Sequence, residues 1–413
     1  MNFDYFKRNE LFVFVLLYIS LLIGFAFNED STGGAYNDFV ARVIETDLFL
    51  KDFWGTLFSY DKIGDRHSPV QFLIYVFFKK LNFQWEWIRL INLHLMLLCV
   101  VFFYKSIKIK FINIDQKFLL LISCIFFFSP TFRSLSIWPD SRLIGLLFFI
   151  LATYFFLKFE KEPKLIYVFF NIFLVAVSAY LSLNFFLFSI YFFYKYYLKF
   201  KISRELFFII ILNIFLSLPA LYYIFYLEIY FMFSGNTPGT EDQNTFLLQL
   251  NIFNKILIIS SMIFFYFIPI ILLNKYNFIK TKAELYEIFI IFIFFIICVY
   301  FFNYKEDFTG GGVFFQISNK IFGNNYLFYL ISLVSIFFIY SISKKNLNNL
   351  IIFLLFLFSN PQLTIYHKYF DPFVFFLIFT LINIDLKNDF FNKKSILILY
   401  IYYFVFLAIN IFK

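Results

Sequence analysis

Apolar runs long enough to cross a bilayer recur along almost the whole of this chain, separated by short clusters of Lys. That pattern admits few folds. A bilayer span needs ~20 consecutive apolar residues as a helix. Lipid offers the backbone no hydrogen-bond partner, so only helices and closed barrels can cross it. Continuous apolar runs, rather than short alternating ones, select helices. With 62% hydrophobic, 26% aromatic and 15% charged residues among 413, the composition is far from that of a soluble domain. The expected fold class is an all-α polytopic membrane protein with about 13 transmembrane helices, set by that span length.

The net charge of +9 does not indicate a nucleic-acid partner. The Lys residues lie between spans, where the positive-inside rule gathers them on the cytoplasmic side. Cys99, Cys124 and Cys298 fall in or beside apolar runs, which argues against a disulfide framework or a metal cluster. Lys7 and Arg8 precede the first run, at 11–28, and no small-residue cleavage site follows it. This segment is expected to be an uncleaved first span.

With Lys7 and Arg8 inside, span 1 leads to a long outer loop, 28–88, the main polar interruption of the chain. Within it, 36–54 and 69–81 are expected to be helices lying in the interface, the first carrying Asp38/Arg42 and Asp47/Lys51 at i,i+4. Span 2 runs from near Arg89 to Lys105, span 3 covers 118–132 and span 4 covers 143–157. Spans 5 and 6 form a hairpin turning near 182–184. A second large outer loop is expected at 303–325, and spans 11 and 12 flank another at 359–371. Span 13 covers 395–412. The whole reads as one integral membrane domain without a separate soluble one. All four Trp (Trp54, Trp85, Trp87, Trp138) fall on the outer side, as an interfacial belt would place them.

The outer loops hold the residues that can carry chemistry. Five of the seven Arg (Arg42, Arg66, Arg89, Arg133, Arg142) lie in or beside the first two. Arg presents a planar fork matched to phosphate or carboxylate. Snorkelling at the interface accounts for Arg42 and Arg89. Arg66 and His67 precede Ser68-Pro69, which suit a helix start, and would stand at its positive end as an anion site. Glu29 and Asp30 follow span 1 directly, at the membrane surface, where an acid needs no structural partner. Asp38 is half of a surface pair with Arg42 or an alternative base. Asp140 and Asp371, beside Pro139 and Pro372, are placed to cap the spans that follow. His94 reads as a satisfied polar residue within the bundle, and His367 faces outward beside Lys368 and Tyr369. The Gly310–Gly312 triplet is a linker, unless the segment after it folds over a site as a lid.

The stretches NEDSTGGAYNDF (28–39), GDRHSPVQF (64–72), SIWPDSRLIG (136–145) and YHKYFDPF (366–373) resemble motifs of the GT-C membrane glycosyltransferases. The branch they resemble contains protein O-mannosyltransferases and the lipid A aminoarabinose transferase. The resemblance covers nearly the whole chain in topology but only these stretches in residues. It implies transfer of a sugar from a polyprenyl-phosphate donor to a glycan, lipid or protein acceptor, with inversion, at the outer (periplasmic) face of the cytoplasmic membrane. The catalytic acid would be Asp30, Asp38 or Glu29. Asp30 is favoured for its fixed height, and because Arg42 would make Asp38 a poorer base. Arg66, His67, Arg142, His367, Lys368 and Tyr369 would bind substrate. Asp140 would orient the acceptor or take a divalent cation, the one cofactor such acids would accept; no metal ligand is assigned. The chain departs from some members in ending at its last span.

Two other classes compete. A polysaccharide polymerase or ligase of the cell envelope usually carries its large outer loop late, whereas here it follows span 1. A lipid-linked-sugar flippase or other transporter would favour paired, Gly/Pro-broken repeats and charges within spans, and neither pattern is evident. The topology has a direct test. Reporters fused after Lys110, Lys201 or Lys345 should read cytoplasmic, and those after Gly239 or Gly311 external. If Lys201 and Gly239 report the same side, the outer-loop assignment loses its basis.

Overall fold

The computed structural model describes residues 8–63, 68–227, 251–274, 284–305, 310–344, 346–360, 364–386 and 388–412. Helices make up nearly all of the regular structure among them, and they contain no strand. Six are long and apolar enough to cross a bilayer: α5 (Trp85–Lys110), α8 (Ser141–Lys161), α11 (Arg204–Phe225), α12 (Ile252–Leu273), α15 (Tyr326–Ser343) and α18 (Lys393–Ile411). A bent pair, α6 (Gln116–Ser123) with its 3-10 extension Cys124–Phe128, then α7 (Pro130–Ile137), makes up to seven. Large apolar side chains stay on the outside, Phe207 60% and Phe215 66% exposed on α11. Water would penalise such a face and lipid does not. The chain is a helical membrane protein.

The other expected spans coincide with shorter helices. α1 (Arg8–Ala26), α9 (Leu165–Leu181), α13 (Leu285–Tyr300) and α16 (Leu347–Ser359) occupy the places of spans 1, 5, 9 and 11. α10 (Phe188–Phe200) has 13 residues and α17 (Phe373–Phe379) has 7. At 1.5 Å per residue these rise about 20 and 10 Å, short of the ~30 Å hydrocarbon core. The expected continuous span 118–132 is broken at Ser129-Pro130, where the pair bends by 68°. The residue before proline is driven out of helical backbone. Ser129 is accordingly extended and caps α7 by accepting from the Phe132 N–H at 2.9 Å.

The chain divides into two compact units. The first holds residues 8–227 and 396–412. Its centre is α8, which pairs with α9 and α5. Ser178 donates to the Gly145 carbonyl at 2.8 Å and Asn171 to that of Ala152 at 2.9 Å. Moving two turns forward along α8 therefore moves two turns back along α9, as an antiparallel pair requires. The first-loop helices form as expected: α2 (Ala35–Lys51) and α4 (Val70–Lys80), with a short α3 (Phe53–Phe58) between them. They close over their own apolar cluster of Phe49, Tyr60, Phe72 and Val76.

The second unit, residues 251–395, is arranged around α12. Ser332 of α15 donates to the Leu257 carbonyl at 3.2 Å. The Gly310–Gly312 triplet starts α14 (Gly312–Phe322) and is not a slack linker. All three residues have positive φ, the Gly311 N–H donates to the Ile365 carbonyl at 2.9 Å, and a Cβ on Gly310 would meet that oxygen at 2.5 Å. α14 packs on α12 and α15 with Phe315 buried.

Candidate functional site

Three acids of the first loop, Glu29, Asp38 and Glu45, meet arginines of the first unit, and Asp30 does other work. Glu29 has a structural partner, contrary to expectation. Arg133 of α7 donates to it twice, Nε to Oε1 at 2.7 Å and Nη2 to Oε2 at 2.5 Å. Arg133 Nη1 also donates to the Ser20 hydroxyl and Nη2 to its carbonyl, both at 3.0 Å. Side-chain exposure is only 7% for Arg133 and 12% for Glu29. The pair needs Gly24, where a Cβ would stand 2.3 Å from Glu29 Oε2. A forked pair in which every guanidinium nitrogen is bonded is the form in which buried charge is tolerated.

Asp30 is a cap. Its carboxylate accepts from the N–H groups of Gly33, Gly34, Ala35 and Tyr36 at 2.9–3.2 Å and from the Thr32 hydroxyl at 3.2 Å. Those of Gly34, Ala35 and Tyr36 are orphan donors at the start of α2. Burial raises its pKa, but the bonds from Gly34, Tyr36, Ala35 and Thr32 outweigh that and hold it below the ordinary carboxylate value. An acid stabilised as the anion and saturated with donors is a weak base.

Ser31 and Thr32 tie the same turn to α7. The Ser31 hydroxyl donates to the Pro130 carbonyl at 3.0 Å, and the Thr32 N–H donates to the Ser134 hydroxyl at 2.9 Å. Trp138 donates its indole N–H to the Glu29 carbonyl at 3.1 Å. Arg89 lies over the Trp138 ring at 3.6 Å and reaches the Ile137 carbonyl and Asn28. It is therefore a built-in contact and not a snorkelling side chain.

Asp38 and Asp140 converge on one guanidinium. Arg142 Nη2 donates to Asp38 Oδ2 at 2.7 Å and to Asp140 Oδ2 at 2.8 Å, while its Nε reaches Asp140 Oδ1 at 2.7 Å. Asp140 also caps α8 as expected, accepting from the Arg142 N–H at 2.7 Å. It is buried, with 7% side-chain exposure, whereas Asp38 keeps 40%. On α2, Arg42 bonds Glu45 at 2.7 Å and lies over the Phe72 ring. From α4, Tyr75 donates to the Pro139 carbonyl at 2.9 Å, so the turn that carries Asp140 is held on that side too.

Arg66 and His67 lie outside the described residues. His367, Lys368 and Tyr369 form a 3-10 turn of the second unit. His367 does not face outward: its ring stacks on Tyr266 at 5.6 Å and its Nε2 is 2.8 Å from the Tyr266 hydroxyl. Burial pushes its pKa down to about 4, so the imidazole is neutral at pH 7 and offers an anion no charge. Tyr266, which the sequence did not single out, also donates to Asp371 Oδ1 at 3.0 Å. Asp371 is thus a partner of Tyr266, and α17 starts after its N-cap residue Pro372 with no side-chain cap. Lys368 lies over the Tyr366 ring and Tyr369 packs against it. His94 is satisfied, by Tyr18 at 2.8 Å and the Leu90 carbonyl at 2.7 Å, but it lies on an exposed face and not within the bundle. Among the described residues no three His, Cys, Asp or Glu are grouped to hold a metal.

Comparison with protein families, with curated proteins and with solved structures finds no match to this chain.

The cap has a pH signature. Asp30→Ala should lower stability by about 1 kcal/mol, the usual effect of losing a cap. A carboxyl whose folded pKa is depressed stabilises above its unfolded value of about 4, and that contribution is lost as pH falls through the folded value. Unfolding at pH 7 and at pH 3 should therefore show wild type and Asp30→Ala apart at pH 7 and converging at pH 3. An equal gap at both would mean that the charge on Asp30 contributes nothing.

Proposed function

We propose that this protein is an integral membrane glycosyltransferase of the GT-C kind, moving a sugar from a polyprenyl-phosphate donor to an acceptor hydroxyl at the outer face of the cytoplasmic membrane. The observation that carries the reading is the Asp38–Arg142–Asp140 bridge, in which the Asp38 carboxylate on α2 keeps 40% exposure. Glu29 is committed to Arg133 and Asp30 to its cap, so Asp38 is the general base in place of Asp30. Arg142 shares its charge between two carboxylates, and the three groups together carry one net negative charge. Asp38 is therefore not opposed by an undivided cation.

In the reaction Asp38 takes the proton of the acceptor hydroxyl as that oxygen attacks the anomeric carbon from the face opposite the phosphate. The bond from carbon to phosphate oxygen breaks, and its electron pair leaves with the lipid phosphate. Configuration inverts. By the resemblance, Arg66 is the cation beside that developing charge, a position where fixed positive groups lower the barrier. A divalent cation does not suit the bridge, because Arg142 already stands between the two acids. No step is drawn through one.

Purified protein in vesicles, given a radiolabelled polyprenyl-phosphate sugar and acceptor glycans from the cell envelope, should release polyprenyl phosphate. Asp38→Asn should reduce that release by ~10²–10⁴, the usual contribution of a general base. Asp30→Asn, in which the amide oxygen can still cap, should stay within a few-fold of wild type. A dead Asp30→Asn beside an active Asp38→Asn would reverse the assignment, and full activity in both would remove the transferase reading.

A further inference from the structure

Arg89 of α5 differs from the other described arginines near the first loop. Arg42, Arg133 and Arg142 each meet a carboxylate, whereas Arg89 forms no ion pair among the described residues. Its guanidinium is nevertheless held on several sides. It lies over the Trp138 ring at 3.6 Å, with the Phe25 ring at 5.0 Å. Nε donates to the Ile137 carbonyl at 3.1 Å and Nη2 to Asn28 Oδ1 at 2.8 Å. Nη1 bonds no described residue and is not buried. Glu86, one turn earlier on α5, is exposed and acts on Arg89 only through space.

An apolar seam leads away from this cation. α1 and α5 lie antiparallel, tied by Asn28 to Arg89 at one level and by Tyr18 to His94 further along. Over the same stretch both helices expose large apolar side chains, Ile23 and Phe27 on α1, Trp87 and Leu95 on α5. An exposed Trp near the end of a spanning helix marks the level of the lipid headgroups. A guanidinium stacked on an aromatic ring keeps its planar fork oriented, and phosphate is an anion that fork fits. The unpaired charge is single, and Glu86 opposes a second negative charge beside it. A phosphodiester, which carries one, suits that balance. We propose that Arg89 and the α1–α5 seam bind an anionic phospholipid. Nη1 donates to a phosphodiester oxygen, and the exposed apolar side chains take the acyl chains. The site is independent of the transferase reading.

The test uses the full chain in phosphatidylcholine vesicles with phosphatidylglycerol bearing a diazirine in one acyl chain. Diacylglycerol with the same chain is the control, and crosslinked peptides are located by mass spectrometry. Phosphatidylglycerol should label 19–27 and 87–98 roughly tenfold more than diacylglycerol, the factor that one charge-assisted hydrogen bond supports. Arg89→Gln should remove that preference there and leave labelling of α11 unchanged, which also reports that the variant is folded. Equal labelling of the seam by the two probes in wild type would overturn the proposal without requiring any variant. An unchanged preference in Arg89→Gln would overturn it too. Inorganic phosphate at matched ionic strength should not suppress the labelling; suppression would mean a site for the free anion and would overturn the lipid assignment.

Discussion

The buried pair between Glu29 and Arg133 is the interaction on which the first-loop end of the first unit depends. It joins the turn after α1 to α7 across a sequence separation of 104 residues. The contacts beside it rely on that registration: Ser31 and Thr32 on α7, Trp138 on the Glu29 carbonyl, and Arg89 on Trp138. Removing one partner of such a pair strands the other charge in a poorly solvated place, typically at ~3–5 kcal/mol. Gly24 allows the approach because it alone leaves room for the carboxylate.

This registration separates the roles of four acids that look alike in sequence. One is locked to a guanidinium, one is consumed in starting α2, one caps α8 and one remains half-exposed. The separation is a matter of desolvation and donor count. Glu29 and Asp140 are buried only because Arg133 and Arg142 meet them with forks, and Asp30 tolerates partial burial because backbone N–H groups surround it. Asp38 sits one helix further on, where α2 passes the start of α8, and shares Arg142 with Asp140.

Much of the helical layout was legible in the sequence, because apolar runs and the polar stretch between them follow directly from the bilayer's demand on the backbone. The first-loop helices at 35–51 and 70–80 fell close to their expected places for the same reason. Length was less legible. The run through Ser129-Pro130 is continuous in hydropathy, and only the proline rule marks its break, while the seven-residue α17 looks as apolar as a true span. The candidate site was half legible. Asp140 was readable as a cap from its place before the run. The cap formed by Asp30 is signalled by the Gly33-Gly34 turn ahead of α2, while its place directly after the first apolar run points as readily to the membrane surface. The pairing of Glu29 with Arg133 and of Asp38 with Arg142 could not be read, since each joins residues 104 apart and one chain carries no record of which charges meet. His367 misled for a related reason: its neighbours Lys368 and Tyr369 look like a surface, and the partner that turns it inward, Tyr266, lies on α12.

The Glu29–Arg133 pair holds the first loop as a fixed platform. Amide hydrogen exchange of the full chain in lipid tests it most directly, read at 32–36, where the N–H groups bond to Ser134 and Asp30. Exchange there should be slow in wild type, and Arg133→Leu should lose that protection with α8 and α9 unchanged. Protection at 32–36 that survives Arg133→Leu would contradict it.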